Sequence, residues 1–122
     1  MNRLLPAIAL SLAATLPAAA QTSRLATDPA MCGYWEGEGP EDAMVLTETT
    51  MEGIETFCEF EPALPLNWDA DRTFSRLGYC ASPGYIAPVM IAFQYGTWEP
   101  GVIEVWFQDA DGPLIFTACP AD

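Results

Sequence analysis

The stretch that most constrains the fold is residues 46–60, where β-branched and apolar residues alternate with polar ones around a central glycine. A period of two is typical of strands with one buried face. Threonine favours the extended state because its branched Cβ restricts χ1. We therefore predict a β-hairpin, with strands over residues 43–50 and 53–61 joined by a turn near Met51-Glu52-Gly53.

The second strand of this hairpin indicates which face is buried. One face contains three glutamates, whereas the other contains a cysteine, two large apolar residues and no charge. The predicted core-facing residues are Ile54, Thr56, Cys58 and Phe60, and the predicted solvent-facing residues are Glu55, Phe57, Glu59 and Glu61.

Four further segments have strand patterns separated by turn signals such as Ser82-Pro83-Gly84. These predicted strands are residues 72–81, 85–95, 102–108 and 113–119. Two prolines interrupt residues 62–71, which we interpret as an irregular connection with Trp68 turned inward. Because short connections join antiparallel neighbours, the chain is predicted to be all-β, a small antiparallel meander of about six strands forming a barrel or a sandwich.

Residues 1–20 have the pattern of a signal peptide. Arg3 precedes an apolar run, and Pro17-Ala18-Ala19-Ala20 provides the small residues that precede cleavage. We expect a single mature domain of residues 21–122, located in the periplasm or secreted. The apolar run is too short for a bilayer and no second one follows, so we expect no membrane span.

All four cysteines follow residue 20, and an even number in a small exported domain predicts two disulfides. Three pairings are possible. An up-and-down meander brings the start of its first strand near the end of its last, which favours Cys32 with Cys119. Cys58 and Cys80 then lie on neighbouring strands. No C-x-x-C pair and no histidine is present, so we expect no zinc site.

Charge limits the partners. The chain has 17 acidic and 4 basic residues, a net charge of −13, and no histidine. Nucleic acid is excluded as a partner because phosphates must be neutralised by cationic side chains. A basic protein, a basic peptide or a cation would be attracted, although solubility alone also explains such a charge. The sequence indicates no oligomeric state.

Catalytic chemistry is restricted to carboxylates. Without histidine there is no Ser-His-Asp or Cys-His arrangement, and no nucleotide-binding fingerprint predicts a cofactor. Glycosidase-type acid–base pairs remain possible in principle, although alternating glutamates are also what the solvated face of a sheet contains. The candidate carboxylates are Glu48, Glu55, Glu59 and Glu104. Glu55 is expected to form an ion pair with Arg72 or Arg76.

Two Asp-x-Asp fragments, Asp69-x-Asp71 and Asp109-x-Asp111, resemble parts of a calcium loop. Neither supplies a full ligand set or the closing glutamate. Turn formation accounts for Asp109 and Asp111 without a metal ion. We therefore assign no metal site.

Aromatic residues are the best binding candidates, because an exposed tryptophan beside carboxylates suits a cationic or amphipathic partner. The predicted binding residues are Trp35, Trp98, Trp106 and Glu55. We expect an exported, acidic, non-enzymatic binding module for a basic protein, peptide or cation. The alternatives are a carboxylate-dependent hydrolase and a structural envelope protein without a ligand.

The chain resembles a loose group of small exported four-cysteine proteins of Gram-negative bacteria. The matching residues are Cys32, Trp35, the run at residues 46–50, Glu55-Thr56-Phe57-Cys58, Cys80 and Cys119. This resemblance implies an exported, disulfide-linked β fold and no particular activity. At the level of fold alone the chain is also distantly similar to the periplasmic c-type lysozyme inhibitors. Their inhibitory motif has no counterpart here, and the chain lacks lysine.

Overall fold

A computed structural model describes residues 23–33, 39–68, 71–96 and 99–120. The predicted signal peptide, Trp35 and Trp98 lie outside these residues. The strands are β1 (Leu25–Ala26), β2 (Val45–Leu46), β3 (Thr50–Glu52), β4 (Phe57–Glu61), β5 (Arg72–Ser82), β6 (Tyr85–Tyr95), β7 (Val102–Phe107) and β8 (Leu114–Ala118). A short 3₁₀ helix, Pro29–Gly33, follows β1.

The eight strands form a closed antiparallel barrel. Each strand pairs with the next along the chain, and β8 returns to pair with β1. The all-β class and the antiparallel meander are therefore confirmed, with eight strands instead of about six. The two extra strands come from the N-terminal half, where β1 and β2 are two residues each and too short to show an alternating pattern.

The threonine run is a turn, so the predicted strand over residues 43–50 is wrong. The Thr47 hydroxyl accepts a hydrogen bond from the Thr50 backbone N–H at 3.0 Å and lies 2.7 Å from the Thr50 hydroxyl. The Thr47 N–H also donates to the Thr50 carbonyl. These side chains satisfy nearby backbone groups locally, which outweighs the strand propensity of their branched Cβ. The chain reverses here between β2 and β3.

Of the predicted turn at Met51-Glu52-Gly53, Met51 and Glu52 are instead part of β3, and Gly53 begins the observed turn. Met51 is buried and pairs with Leu46 on one side and Cys58 on the other. The second reversal spans residues 53–56, where the Gly53 N–H donates to the Thr56 carbonyl. Ile54 is therefore an exposed turn residue and not a core residue as predicted. Three short strands replace the single hairpin.

The barrel interior is filled by alternate side chains, as the strand patterns predict. Phe60 and Phe93 pack with ring centroids 5.0 Å apart. The largest fully buried side chains are Tyr95, Phe60, Phe93, Phe116, Leu25, Leu46, Met51, Ile91, Ile103, Val105 and Cys58. Residues 62–68 form the irregular connection that was expected, and Trp68 is buried beside Tyr95 at 5.4 Å between ring centroids.

Tyr95 links this connection to the barrel. Its hydroxyl donates to the Pro65 carbonyl at 3.1 Å, which satisfies its only polar atom at the edge of the core. Burial raises the pKa of Tyr95 well above its ordinary value, and the nearby Arg76 charge opposes this only in part. The hydroxyl is therefore a neutral, structural donor.

Both disulfides join the cysteines that the meander favours. Cys58 and Cys80 are directly opposite each other on β4 and β5, with Cα atoms 4.1 Å apart. Cys32 and Cys119 join the 3₁₀ helix to the end of β8. Two disulfides fit an oxidising compartment. None of the helices in the described segments is long and apolar enough to cross a membrane.

The outer side of β1 and β2 carries its own small core. Met31 of the 3₁₀ helix packs there, and the Cys32–Cys119 disulfide attaches that helix to the barrel. We call this cluster the covered wall. It consists of Ala26, Met31, Cys32, Ala43, Val45 and Cys119.

Candidate binding surface on the barrel wall

The outer face of β4 to β7 carries apolar side chains that nothing in the described structure covers. The register places Leu77 opposite Met90, Tyr79 opposite Pro88 and Ala92 opposite Trp106. Because paired residues of antiparallel strands share a face, these side chains lie side by side. We call this surface the bare wall. It consists of Phe57, Leu77, Tyr79, Ile86, Pro88, Met90 and Trp106.

The exposure of these side chains is unusual for their type. Ile86 is 74% exposed, Leu77 and Tyr79 are each 63% exposed, and Phe57 and Trp106 are each 41% exposed. Scattered apolar residues on a protein surface need no explanation, but contiguous ones commonly mark an interaction site. Here they are contiguous across four strands, so the bare wall is the leading candidate site.

The β5–β6 hairpin presents most of this surface. Both strands have 11 residues, and Pro83-Gly84 connects them in register. Gly84 has a φ of +76°, which with Pro83 before it fits a type II turn and suits glycine. On the inner face, Gly78 lies against Phe60, where an added Cβ would meet the Phe60 Cβ at 3.0 Å and the Glu59 carbonyl closer still. Glycine thus permits β4 and β5 to approach closely.

Carboxylates alternate with the apolar side chains at one edge of the bare wall. Glu59 lies opposite Tyr79, and Glu61 lies opposite Leu77. Both glutamates are exposed. The two arginines of β5, Arg72 and Arg76, have the opposite parity and are therefore on the other face of that strand. The bare wall is consequently apolar and negative.

Of the two predicted binding residues that the structure describes, Trp106 and Glu55, Trp106 lies on the bare wall. Its indole Nε1 donates to Oε2 of Glu104 at 3.3 Å. Glu104 itself is 7% exposed and makes further interactions. This contact orients the ring while leaving part of it accessible to solvent. Trp106 therefore has the combination of a fixed polar end and an exposed apolar surface that interfaces favour.

Glu55 lies elsewhere, in the turn before β4. It lines a separate cleft of about 460 Å³ whose other charged residues are Glu41 and Asp42. The expected ion pair with Arg72 or Arg76 does not appear among the described residues. Arg76 donates instead to the carbonyls of Pro62 at 2.7 Å and Ala63 at 3.4 Å, and its guanidinium lies over the Phe74 ring. Trp106 and Glu55 thus do not form one site.

The remaining candidate carboxylates do not come together as a catalytic pair within the described residues. Glu48 is exposed in the threonine turn, and Glu59 is exposed on β4, while Glu104 is buried on β7. The described segments also contain no group of three or more histidine, cysteine or acidic residues placed to hold a metal ion. Asp109 and Asp111 lie in the turn between β7 and β8, and Asp69 lies outside the described residues.

Sequence reasoning missed four exposed residues of the bare wall, Leu77, Tyr79, Ile86 and Met90. The sequence contains a pattern from which part of this surface could have been predicted. Residues 85–95 are apolar on both faces, with Ile86, Pro88 and Met90 opposite the core-facing set. A strand that is apolar on both faces needs cover on both, and the sequence after residue 20 predicts strands and no long helix that could cover the second face. That reasoning identifies an exposed apolar surface from the sequence.

Comparison of the chain with protein-family models, with curated proteins and with solved structures gives no match. The fold and the wall define a small disulfide-linked antiparallel barrel with one apolar, solvent-exposed side.

Proposed function

We propose that this protein is an exported, non-enzymatic binding module whose bare wall binds a basic protein or peptide with apolar residues. The observation that carries the proposal is the contiguous exposure of Leu77, Tyr79, Ile86 and Trp106 on one side of the barrel. An apolar surface of this kind supplies affinity because its burial removes apolar area from water. The acidic chain supplies the selection for a basic partner.

Charge also argues against a second copy of the chain as the partner. Each copy carries a net charge of −13, and Glu59 and Glu61 lie within the apolar rows. Two bare walls in contact would bring these carboxylates together and desolvate them without a cation nearby. A basic partner would instead attract these carboxylates, and its cations would pair with them once they are desolvated. Charge complementarity thus separates a heterologous complex from a dimer.

Export gives the proposal a compartment. The two disulfides fit an oxidising environment, and the first twenty residues have the pattern of a signal peptide. We propose that the module acts in the periplasm or outside the cell. Expression of the full chain in a Gram-negative host tests this directly. A purified periplasmic product whose mass corresponds to a chain beginning at Gln21 is the expected result, and a product retaining residues 1–20 contradicts it.

Three peptides of equal length separate the apolar and electrostatic parts of binding. The first alternates lysine and leucine, the second lysine and serine, and the third glutamate and leucine. We expect measurable binding by calorimetry for the first peptide alone, because it satisfies both requirements. Its affinity should fall as salt is raised from about 50 to about 300 mM, since exposed charges are screened over a shorter distance. A c-type lysozyme is a suitable basic protein to test beside the peptides, because the sequence suggests a distant resemblance to the periplasmic c-type lysozyme inhibitors.

Two substitutions locate the site. Leu77→Ser removes an exposed apolar side chain from the bare wall, and we expect a loss of about tenfold in affinity for the lysine–leucine peptide, which corresponds to burial of most of that side chain. Ile54→Ser is the matched control, because Ile54 is also exposed but lines the cleft beside Glu55. Equal losses for both variants, or binding of the lysine–serine peptide as tightly as the lysine–leucine one, would contradict the proposal.

A further inference from the structure

One edge of the sheet is open beside the bare wall. β5 pairs with β6 along the whole length of both strands, from Arg72 with Tyr95 to Ser82 with Tyr85. β7 pairs with β6 only as far as Ile91, which lies opposite Phe107. Among the described residues no strand pairs with residues 85–90 of β6 on its β7 side. This leaves a notch in the barrel wall where β7 ends.

The backbone groups that face this notch follow from the alternation of the strand. The Gly96 N–H donates to the Val102 carbonyl, so backbone groups of even-numbered residues point towards β7. In an antiparallel strand this direction alternates residue by residue. Ile86 and Pro88 therefore direct their backbone groups to the open edge. Ile86 offers an N–H and a carbonyl, and Pro88 offers a carbonyl alone.

A groove of about 360 Å³ adjoins the same edge. Pro88, Val89 and Met90 form one side, and Phe107 with residues 108–110 of the following turn forms the other. The groove is therefore bounded by apolar side chains and by Asp109 at the end of β7. It lies between residues 88–90 of β6 and the residues that end and follow β7.

We propose that the basic partner binds as an extended segment that adds a strand to β6 at Ile86 and Pro88. This inference rests on the proposed function and specifies how its ligand is held. An antiparallel segment would exchange two hydrogen bonds with Ile86 and donate a third to the Pro88 carbonyl. Its alternate side chains would lie on the bare wall beside Ile86 and Pro88, because directly opposed residues share a face.

Pro88 and the nearby carboxylates favour a basic strand over a second copy of this chain at the open edge of β6. Two copies of β6 paired about a common centre at Pro88 would place two prolines opposite each other, and neither has an N–H to donate. Asp109 and Asp111 lie in the turn at the end of β7, and both are exposed, which adds repulsion between copies and attraction for a cationic segment. The open edge therefore fits a basic strand from another protein better than a second copy of this chain.

Backbone methylation of the lysine–leucine peptide tests the hydrogen bonds. In the proposed register the leucines lie on the bare wall, so the leucine N–H groups point towards β6 and the lysine N–H groups point away. Methylating the leucine nitrogens should weaken binding by about tenfold or more, since each lost hydrogen bond of ordinary strength reduces affinity by roughly 3- to 10-fold. Methylating the lysine nitrogens should have little effect, and it is the matched control.

A pair of variants tests the same contact from the protein side. Ile86→Pro removes both the side chain and the N–H that faces the notch, whereas Ile86→Ala removes the side chain and keeps the N–H. No ladder bond to β5 is lost in either variant, because the Ile86 backbone faces away from β5. We expect the proline variant to bind the peptide about 3- to 10-fold more weakly than the alanine variant. Urea unfolding of both variants verifies that they are folded.

The outcomes separate this inference from the proposed function. If the unmethylated peptide binds and both methylated peptides bind equally well, strand addition is wrong while the bare wall remains the binding surface. Equal affinities of the folded Ile86→Pro and Ile86→Ala variants lead to the same conclusion. If the unmethylated peptide does not bind, both proposals fail.

Discussion

Two sides of this barrel carry apolar side chains on their outer face, and they differ in whether those side chains are buried. On the covered wall, the outer apolar residues of β1 and β2 are buried beneath a 3₁₀ helix that a disulfide holds in place. On the bare wall, the outer apolar residues of β4 to β7 remain exposed, although they are larger. Within the described residues, therefore, the outer apolar face is covered on the side of β1 and β2 and is left uncovered on the side of β4 to β7.

This difference separates the apolar surface that stabilises the fold from the apolar surface that remains available for binding. Covering Met31 and Val45 contributes to the stability of the isolated chain. Leaving Leu77, Tyr79 and Ile86 exposed contributes nothing to that stability and leaves the area available to a partner. A domain of this size has about 5–15 kcal/mol of stability in total. An apolar surface that the fold leaves unused is thus the one most readily assigned to binding.

Removing either disulfide should give the largest effects: Cys32–Cys119 belongs to the covered wall, and Cys58–Cys80 lies in the core beneath β4 and β5, which carry part of the bare wall. The Cys32–Cys119 disulfide spans 87 residues and the Cys58–Cys80 disulfide spans 22. In the chain-entropy account, losing the first costs about 4–5 kcal/mol and losing the second about 3 kcal/mol. Urea unfolding of the two double alanine variants measures this order. The Cys32→Ala and Cys119→Ala variant should also bind an apolar dye more strongly, because the covered wall loses its attachment. A larger loss of stability on removing Cys58–Cys80 than on removing Cys32–Cys119 would contradict this order.

One pair of methionines compares the walls directly. Met31 is 4% exposed on the covered wall, and Met90 is 47% exposed on the bare wall. Met31→Ala should lower the free energy of unfolding by about 2–4 kcal/mol, since it removes buried methylenes and leaves a cavity. Met90→Ala should change the free energy of unfolding by less than about 0.5 kcal/mol. It should also lower the affinity for the lysine–leucine peptide. Urea unfolding and calorimetry on the same two variants measure both quantities. A destabilising Met90→Ala would show that the bare wall supports the fold.

The sequence predicted the C-terminal half of the fold better than the N-terminal half, for a physical reason. Tyr85–Tyr95 and Val102–Phe107 are long enough for a period of two to repeat several times, and both strands were found where predicted, the second to within one residue. Near Thr47 the same β-branched residues form a turn, because their hydroxyls bond to adjacent backbone groups. Propensity cannot distinguish these outcomes. The deciding hydrogen bonds join the Thr47 side chain and backbone to Thr50, and a residue-by-residue propensity does not include such pairwise contacts.

The candidate site was predictable only in part. The sequence identified Trp106, since the opposite parity of Ile103 and Val105 placed it on the outer face. It did not identify Leu77 or Ile86, because ordinary rules assign large apolar residues to the core. Glu55 was singled out by a short motif, and the structure places it in a separate cleft. An apolar side chain is exposed when no other part of the fold packs on it. A local sequence pattern does not show which parts of the fold will pack on which.

A smaller loss of stability than for the disulfides or Met31 is expected at β5, one of the strands that carry the bare wall. Gly78 is buried between Leu77 and Tyr79, on the inner face, where an added methyl group would meet backbone and Cβ atoms of β4. Those atoms are not flexible side-chain ends, so the strands must separate to accommodate it. We expect Gly78→Ala to cost about 1–3 kcal/mol in urea unfolding. Gly112→Ala is the control, because nothing lies within 4 Å of its added Cβ. If Gly78→Ala leaves stability unchanged but alters peptide affinity, β5 adjusts easily and the bare wall is a pliable surface. If stability falls as expected, close packing of β4 on β5 fixes the position of Leu77 and Tyr79 before any partner binds.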